Sequence, residues 1–163
     1  MGQEVAVRRI GEGESAIVAS LAVDAFAEYA ARMSPDAWSA FAREIASVGS
    51  GMSEDEVLVA ERDGDIVGAL VFYARWEGAQ TDACNVRMVA VAPAARGSGV
   101  ARALLESSIE RCRQAGKARV VMAINSEMGP GRSLCERLGF ERHPEMDHMP
   151  APGVHVQGYQ LLL

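Results

Sequence analysis

The sequence has few cysteines, and no pattern joins them. Its 163 residues include Cys84, Cys112 and Cys135, which are widely spaced and form no CxxC pair. An odd number of scattered cysteines argues against a disulfide framework, and no histidine stands at zinc-ligand spacing. We therefore expect reduced thiols, no metal and a cytoplasmic location.

Long apolar runs are also absent. No apolar segment approaches the roughly 18 residues that a membrane-spanning helix needs. The amino-terminal residues MGQEVAVRRI lack the apolar stretch of a signal peptide, and Ala6 stands where a myristoylation signal requires Ser or Thr. We expect a soluble protein that has no membrane partner.

Basic runs are missing as well. The count of 16 basic against 22 acidic residues gives a formal net charge of −6. Phosphate neutralisation on a nucleic acid therefore has little to act on, and we expect no nucleic-acid partner. The negative charge favours a cationic or amine-bearing substrate.

About half of the residues, 49%, are apolar, which is enough for one packed core over residues 1–163. We expect a single domain without repeats or linkers. Periodicity and turn residues predict strands over 5–10, 57–61, 66–74, 85–91, 118–124, 140–142 and the tail 154–161, and helices over 14–32, from 35 to about 45, 100–115 and 131–138.

A glycine loop follows the strand that ends at Pro93. The segment from Arg96 to Ala101, RGSGVA, leads directly into the predicted helix that begins at Val100. Unpaired backbone N–H groups and the positive end of the helix dipole make such a helix start an anion site. A plain strand-to-helix turn would also explain two glycines. No Lys-Ser or Lys-Thr pair follows, as a P-loop requires, and Arg102 stands where a dinucleotide fingerprint has glycine.

Three segments together resemble the GNAT superfamily of N-acetyltransferases. RGSGVA matches that family's acyl-CoA loop, Q/R-x-x-G-x-G/A, at every position. Upstream, MVAVAP at 88–93 resembles its fourth strand and exit, and LCERLGF at 134–140 resembles its L-Y-x-x-x-G-F element.

The resemblance implies an α/β (α+β) fold with a mixed, mostly antiparallel sheet of six to seven strands, about four helices, and a splay between the fourth and fifth strands. It also implies an N-acyltransferase that takes acetyl-CoA as co-substrate and a small-molecule or peptide amine as acceptor. The cofactor-binding residues that it implies are Val89, Ala90, Val91, Arg96, Gly97, Ser98, Gly99, Val100, Ala101, Arg102, Asn125 and Ser133.

Two positions depart from the family pattern. Cys135 stands where the family commonly has the tyrosine that protonates the departing thiolate. A thiol is a weaker hydrogen-bond donor than a phenol, and Cys135 could instead be a buried packing residue. Asn85 stands where related sequences often have a glutamate, and an amide cannot accept the proton of an amine. Cys135 and Asn85 are the two candidate catalytic residues, and their identity leaves open an acyl-CoA-binding module without transfer activity.

The base and the acceptor pocket are less defined. Loop position alone suggests five candidate bases: Asp82, Glu127, His143, Asp147 and His148. The acceptor pocket is expected among the first two helices and the tail, where six residues could form a wall or belong to the core: Phe26, Tyr29, Met33, Trp38, Trp76 and Tyr159. Methionines could add an adaptable apolar lining or simply fill gaps: Met88, Met122, Met128, Met146 and Met149. The apolar tail 159–163 allows a homodimer, but a final internal strand explains it equally well.

Overall fold

The structure is a computed structural model, and it describes residues 4–46, 57–73, 82–126, 128–151 and 154–163. Within these ranges the helices are α1 (Ser15–Phe26), α2 (Pro35–Ala46), α3 (Val100–Gln114) and α4 (Gly129–Arg137). The strands are β1 (Ala6–Arg9), β2 (Val57–Arg62), β3 (Asp65–Tyr73), β4 (Ala83–Val91), β5 (Arg119–Asn125), β6 (Glu141–Arg142), β7 (His148–Ala151) and β8 (Val154–Leu162).

The described strands form one mixed sheet in the order β1-β2-β3-β4-β5-β8-β6, and β7 pairs with β8. All pairs are antiparallel except β4 with β5. The expected mixed, mostly antiparallel architecture is confirmed. The described sheet has eight strands instead of six to seven, because the proline-containing segment before β8 adds the short strand β7.

The sheet splays between β4 and β5, as expected. The two strands pair from Ala83 with Arg119 to Val86 with Met122, and then the ladder ends although both strands continue. A bulge lies where β4 leaves its partner: the β3–β4 register shifts between Ala69 and Val71, and Met88 has φ 56°. An extra residue on one strand bends that strand, so β4 turns away and a gap opens.

Helix α3 packs on the β3 side of this gap. Its buried stripe contains Val100, Leu104, Leu105, Ile109 and Cys112, which confirms the amphipathic pattern predicted for it. Close packing requires glycine on β3, because a Cβ at Gly68 would lie 2.6 Å from Val100 Cγ1. The position of α3, and of the loop before it, therefore depends on this contact.

The opposite face of the sheet is covered by α1 and α2. The predicted helix over 14–32 is shorter than expected, because α1 ends at Phe26 and a 3₁₀ segment, Ala27–Arg32, follows. Near this transition Arg96 Nη2 donates a hydrogen bond to the carbonyl of Ala25 at 2.6 Å. A side chain thus satisfies a carbonyl of the last α-helical turn. No helix in the described ranges is long and apolar enough to cross a membrane.

Candidate active site

A cavity of about 650 Å³ occupies the gap between β4 and β5. It reaches from α3 and α4 on one side of the sheet to α1 and α2 on the other. Its lining is mostly apolar, with a few polar groups: Phe26, Phe41, Asn85, Val86, Arg87, Met88, Val89, Val91, Ala101, Leu105, Met122, Ala123, Ile124, Asn125, Met128, Gly131, Leu134, Cys135, Met146, His148, Val154 and Val156. An apolar cavity with a few convergent polar groups has the character of a ligand site.

The glycine loop lies at the start of α3, whose residue Ala101 lines this cavity. Gly97 and Gly99 have φ of 74° and 85°, in the left-handed region that favours glycine. The first helical hydrogen bond runs from Ala103 N to Gly99 O at 3.0 Å, which leaves the N–H groups of residues 99–102 without an intrahelical acceptor. A Cβ on either glycine would meet no heavy atom within 4 Å. The loop is therefore an open cradle of backbone donors, and it fits an anion such as a diphosphate.

Both arginines that flank the glycine loop form ion pairs with glutamates. Arg96 forms an ion pair with Glu28 at 2.5 Å in addition to its bond to α1, and Arg102 pairs with Glu106 at 2.9 Å. A third arginine, Arg62 at the end of β2, donates hydrogen bonds to Ser98. Sequence reasoning missed Arg62, because only the sheet brings the β2–β3 turn to the end of β4.

Beyond the bulge, the edge of β4 that faces the gap pairs with no strand of the described chain. Just after β4, Ala92 N donates a hydrogen bond of 2.9 Å to the carbonyl of Val67 on the neighbouring strand β3. Because antiparallel strands alternate the direction of their backbone groups, Val89 and Val91 present theirs toward β5, where the ladder has ended. Ala90 is buried with the residues of α1, and its side chain is not part of the cavity lining.

Cys135 lies on α4 and lines the cavity, but it is 1% exposed. Burial is the main cause that raises the pKa of its thiol to about 12, with a smaller effect from Glu136. The thiol is therefore protonated at neutral pH, and it donates a weak hydrogen bond to Met122 Sδ at 3.4 Å. This arrangement is compatible with a proton donor and with a packing residue.

Asn85 also lines the cavity, from β4 just before the splay. It is 8% exposed. Its side-chain amide makes no hydrogen bond within the described part of the chain. The amide lines the cavity, and an amide offers both donors and an acceptor, so Asn85 is a group that can bind a ligand.

The structure separates the candidate bases. Asp82 is bonded to Arg119 and Asp147 to Arg142, and these guanidinium contacts lower the pKa of both carboxyls, that of Asp147 to about 2. His143 is not among the lining residues, and Glu127 lies outside the described residues.

His148 lines the cavity, and its Nδ1 lies 3.0 Å from the carbonyl of Met146. A carbonyl only accepts, so Nδ1 carries the hydrogen and the neutral ring keeps a lone pair on Nε2.

The remaining predicted residues are dispersed. Asn125 lines the cavity, Val100 is buried against β3, and Ser133 is exposed on α4. Of the predicted aromatic wall, Phe26 lines the cavity, whereas Tyr29, Met33, Trp38 and Tyr159 do not, and Trp76 lies outside the described residues. Met88, Met122, Met128 and Met146 line it, and Met149 is exposed.

Comparison with known proteins agrees with this geometry. The Acetyltransferase (GNAT) family matches residues 18–140. The chain belongs to the GNAT family. The uncharacterized N-acetyltransferase YjgM of Escherichia coli K12 is 31% identical over 83 residues, which cover 51% of this chain and 49% of that protein. The match therefore spans about half the length of this GNAT relative.

Two solved structures show that the GNAT fold extends along almost the whole chain. An acetyltransferase of the GNAT family from Staphylococcus aureus Mu50 matches with a TM-score of 0.75 at 10% identity, and covers 98% of this chain and 99% of that chain. YncA from Salmonella typhimurium, solved with its cofactor acetyl-CoA, matches with a TM-score of 0.66 at 24% identity, and covers 98% and 94%.

Proposed function

We propose that this chain is a single-domain N-acetyltransferase that moves an acetyl group from acetyl-CoA directly to an amine of a small molecule or peptide. One observation carries the proposal: a single cavity in the splay of the sheet is lined by Ala101, the last residue of the RGSGVA segment, and also by Asn85 and His148. Acetyl-CoA and the amine can therefore bind in the same cavity, where the acetyl group passes directly from one to the other. Three free and buried cysteines favour a reducing compartment, which is consistent with a cytoplasmic enzyme.

In this proposal the chain holds acetyl-CoA with backbone groups. The N–H groups of residues 97–102 bind the diphosphate, and each bond to a charged oxygen contributes roughly 1.5–3 kcal/mol. Val89 and Val91 bond the pantetheine arm along the open edge of β4, as an added strand would. Asn125 lies on the opposite wall of the gap. No group of three His, Cys, Asp or Glu side chains in the described ranges is arranged to hold a metal.

The chemistry needs a base, a donor to the developing oxyanion and a proton for the departing thiolate. Bound acetyl-CoA supplies the thioester whose carbonyl is attacked. His148 Nε2 accepts the proton of the amine, since the Met146 carbonyl holds the hydrogen on Nδ1. The N–H of Val89 faces the gap and stabilises the negative charge on the carbonyl oxygen. Cys135 is the candidate donor of the final proton: its thiol lines the cavity and is protonated at neutral pH, but its raised pKa makes it a weak acid.

The proposal is tested by acetyl-CoA binding in a matched pair of glycine variants. Gly99 and Gly116 lie at opposite ends of α3, both at positive φ, and a Cβ on either meets no neighbour within 4 Å. Gly99→Ala and Gly116→Ala therefore impose a similar backbone strain of about 1–2 kcal/mol. Calorimetry should show weaker acetyl-CoA binding for Gly99→Ala only. No binding by the wild type, or equal binding by both variants, would falsify the proposal.

A second candidate is an acyl-CoA-binding module with weak or no transfer activity. It is favoured by Asn85, which is no base, and by the engagement of the Cys135 thiol with Met122. Free CoA release across a panel of amines separates the two functions. Sustained release that depends on the amine supports the enzyme, whereas tight acetyl-CoA binding without release supports the module.

A further inference from the structure

His148 reaches the cavity from a segment that folds back onto β8. The 3₁₀ turn Pro144–Met146 precedes it, and β7 then pairs with β8, with His148 opposite Val156. The imidazole lines the cavity, and its Nδ1 lies 3.0 Å from the carbonyl of Met146. The position and the tautomer of this ring therefore depend on where the turn holds the Met146 carbonyl.

Gly158 of β8 is the point on which the turn rests. A Cβ at this position would lie 2.5 Å from both the carbonyl oxygen of His143 and the Cβ of Met146, so the close approach requires glycine. The Gly158 carbonyl accepts hydrogen bonds from His143 N at 2.9 Å and from Arg142 Nη1 at 2.8 Å. The residues just before the turn are thereby anchored to β8.

Asp147 anchors the other end of the turn. Its Oδ1 accepts hydrogen bonds from Gly158 N at 2.7 Å and from Arg142 Nη1 at 2.8 Å, and its Oδ2 accepts one from Arg142 Nη2 at 2.6 Å. Asp147 stands between Met146 and His148 in the chain, so these bonds restrain the residues on either side of it. Asp147 is not among the lining residues, and it therefore acts on a bound substrate through its neighbours.

The contact of Asp147 with Arg142 fixes geometry more than it adds stability. The two side chains are each 37% exposed, and an exposed ion pair contributes about 0–1 kcal/mol to folding. Two parallel N–H···O bonds from one guanidinium nevertheless define the orientation of the carboxylate. A third bond, from a backbone N–H of the sheet, ties that carboxylate to a rigid element. Such a carboxylate can orient the residues next to it in the chain.

We infer that Asp147 is a positioning residue for the proposed acetyl transfer: through Gly158 and Arg142 it holds the Met146 carbonyl where that group orients the His148 ring. The inference rests on the proposed function and adds the device that presents the base, with Nε2 left to accept the proton of the amine. A catalytic group must be held within roughly 0.5 Å of its productive position by the residues that support it. Hydrogen bonds from Arg142 and from Gly158 N lower the pKa of Asp147 to about 2, so its own carboxylate is a poor acceptor of that proton.

Glu14 offers a matched control away from the cavity lining. Its Oε1 accepts from Gly11 N at 2.6 Å and from Arg8 Nη1 at 2.7 Å, and its Oε2 accepts from Arg8 Nη2 at 2.9 Å. These are the same kinds of partner as at Asp147, and Glu14 is not among the lining residues. Asp147→Ala and Glu14→Ala therefore remove the same type of contact, but only the first lies next to His148.

The orientation of the ring is measured by ¹H–¹⁵N NMR of the histidine side chains at pH 8, where an ordinary imidazole is neutral. Comparison with His148→Gln assigns the His148 signals among the three histidines. The wild type should carry the hydrogen on Nδ1. Asp147→Ala should shift the population toward the form with hydrogen on Nε2, whereas Glu14→Ala should keep the wild-type tautomer.

Urea unfolding shows whether each variant is folded under these conditions. If Asp147→Ala is not, Asp147→Asn takes its place, because the amide oxygen can still accept from Gly158 N while the charge that pairs with Arg142 is lost. Asp147→Asn should show a smaller shift of the tautomer in the same direction.

The consequence for transfer is measured as release of CoA from acetyl-CoA with L-phenylalaninamide, putrescine and an alanine-terminated peptide. Asp147→Ala should lower kcat by about tenfold or more, since a misplacement of about 1 Å can cost roughly 10²-fold. Acetyl-CoA binding, measured by calorimetry, should not change. In the His148→Gln background Asp147→Ala should change kcat by less than about twofold, because residues that act as a unit are not additive.

The inference is overturned if the wild-type ring carries its hydrogen on Nε2, if Asp147→Ala keeps the wild-type tautomer, or if Glu14→Ala has the same effect. Additive effects of Asp147→Ala and His148→Gln on kcat would overturn it as well. In all these cases acetyl-CoA binding and amine-dependent release of CoA would leave the proposed function intact. If the wild type binds no acetyl-CoA, the proposed function fails, whereas the NMR measurement still decides whether Asp147 orients His148.

Discussion

Arg62, at the end of β2, holds Ser98 of the glycine loop in place. Its Nη1 donates to Ser98 Oγ at 2.9 Å and its Nη2 to Ser98 O at 3.2 Å. Ser98 Oγ in turn lies within 2.5 Å of the carbonyl of Ala95. The turn of the β2–β3 hairpin therefore restrains the loop whose backbone N–H groups form the proposed diphosphate site.

Arg62→Ala should weaken acetyl-CoA binding, because the loop loses two hydrogen bonds that fix its conformation. A typical bond contributes about 0.5–1.5 kcal/mol, so calorimetry should show a dissociation constant that rises about two- to tenfold. The dissociation constant of Arg62→Lys should lie between those of the wild type and Arg62→Ala, since an ammonium cannot bond both oxygens of Ser98 as the guanidinium does. Arg113→Ala removes an equal charge from α3 and should leave binding unchanged. Unaltered affinity in Arg62→Ala would show that the loop needs no such restraint.

Gly68→Ala should destabilise the protein. The added Cβ would lie 2.6 Å from Val100 Cγ1 and 3.1 Å from both Leu104 Cδ1 and the Ala90 carbonyl, so α3 must shift. Overpacking of this kind costs about 1–3 kcal/mol, which urea unfolding can measure. Gly129→Ala is the control, because its Cβ would meet only Arg132 Nη2, at 3.9 Å. Equal stability of the two variants would contradict close packing of α3 on β3.

His148→Gln should lower kcat/KM for the amine by roughly 10²–10⁴-fold, the usual contribution of a general base. Glutamine keeps a polar side chain of similar size but cannot accept the proton. Acetyl-CoA affinity should not change. His155→Gln is the matched control, since His155 is exposed on β8 and is not among the residues that line the cavity. If both variants retain full activity, the base is another group.

Asp147→Asn should lower the free energy of unfolding at neutral pH. In acid this difference from the wild type should disappear. Asp147 accepts from Arg142 and from Gly158 N, and these contacts lower its pKa from 3.8 to about 2. A carboxyl with a lowered pKa stabilises the fold above its ordinary pKa, and this contribution disappears as pH falls through the folded value. The difference in unfolding free energy between wild type and variant should therefore decrease from pH 4 to pH 2. Glu145→Gln, on the exposed turn nearby, is the control for the loss of one negative surface charge. A constant difference would exclude the ion pair as its cause.

Cys135→Ala should reduce the release of free CoA while acetyl-CoA affinity is retained, if the thiol donates the final proton. Cys135→Ser, which restores a hydroxyl donor, should recover part of the activity. At pH 8 the native protein should not react with thiol reagents, because all three cysteines are buried and the pKa of Cys135 is about 12. Three thiols should react after unfolding. Full activity in Cys135→Ala would assign the residue to packing.

The sequence alone determined the parts of this protein that depend on neighbouring residues. The RGSGVA segment predicted a glycine loop that leads into a helix, and in the structure Gly97 and Gly99 have positive φ directly before α3. The strands predicted over 57–61 and 66–74 correspond to β2 and β3, and the helix predicted over 100–115 corresponds to α3. Turn conformation and helix periodicity are local properties, so a sequence can specify them.

Tertiary structure decided which side chains meet. Arg96 and Ala25 are 71 residues apart, and Arg62 and Ser98 are 36 apart. The five candidate bases were equal in the sequence. Only folding paired Asp82 and Asp147 with arginines and placed His148 at the cavity. Charge, burial and access of a side chain are set by neighbours that are distant in the chain, and the bulge at Met88 that opens the gap depends on pairing with β3.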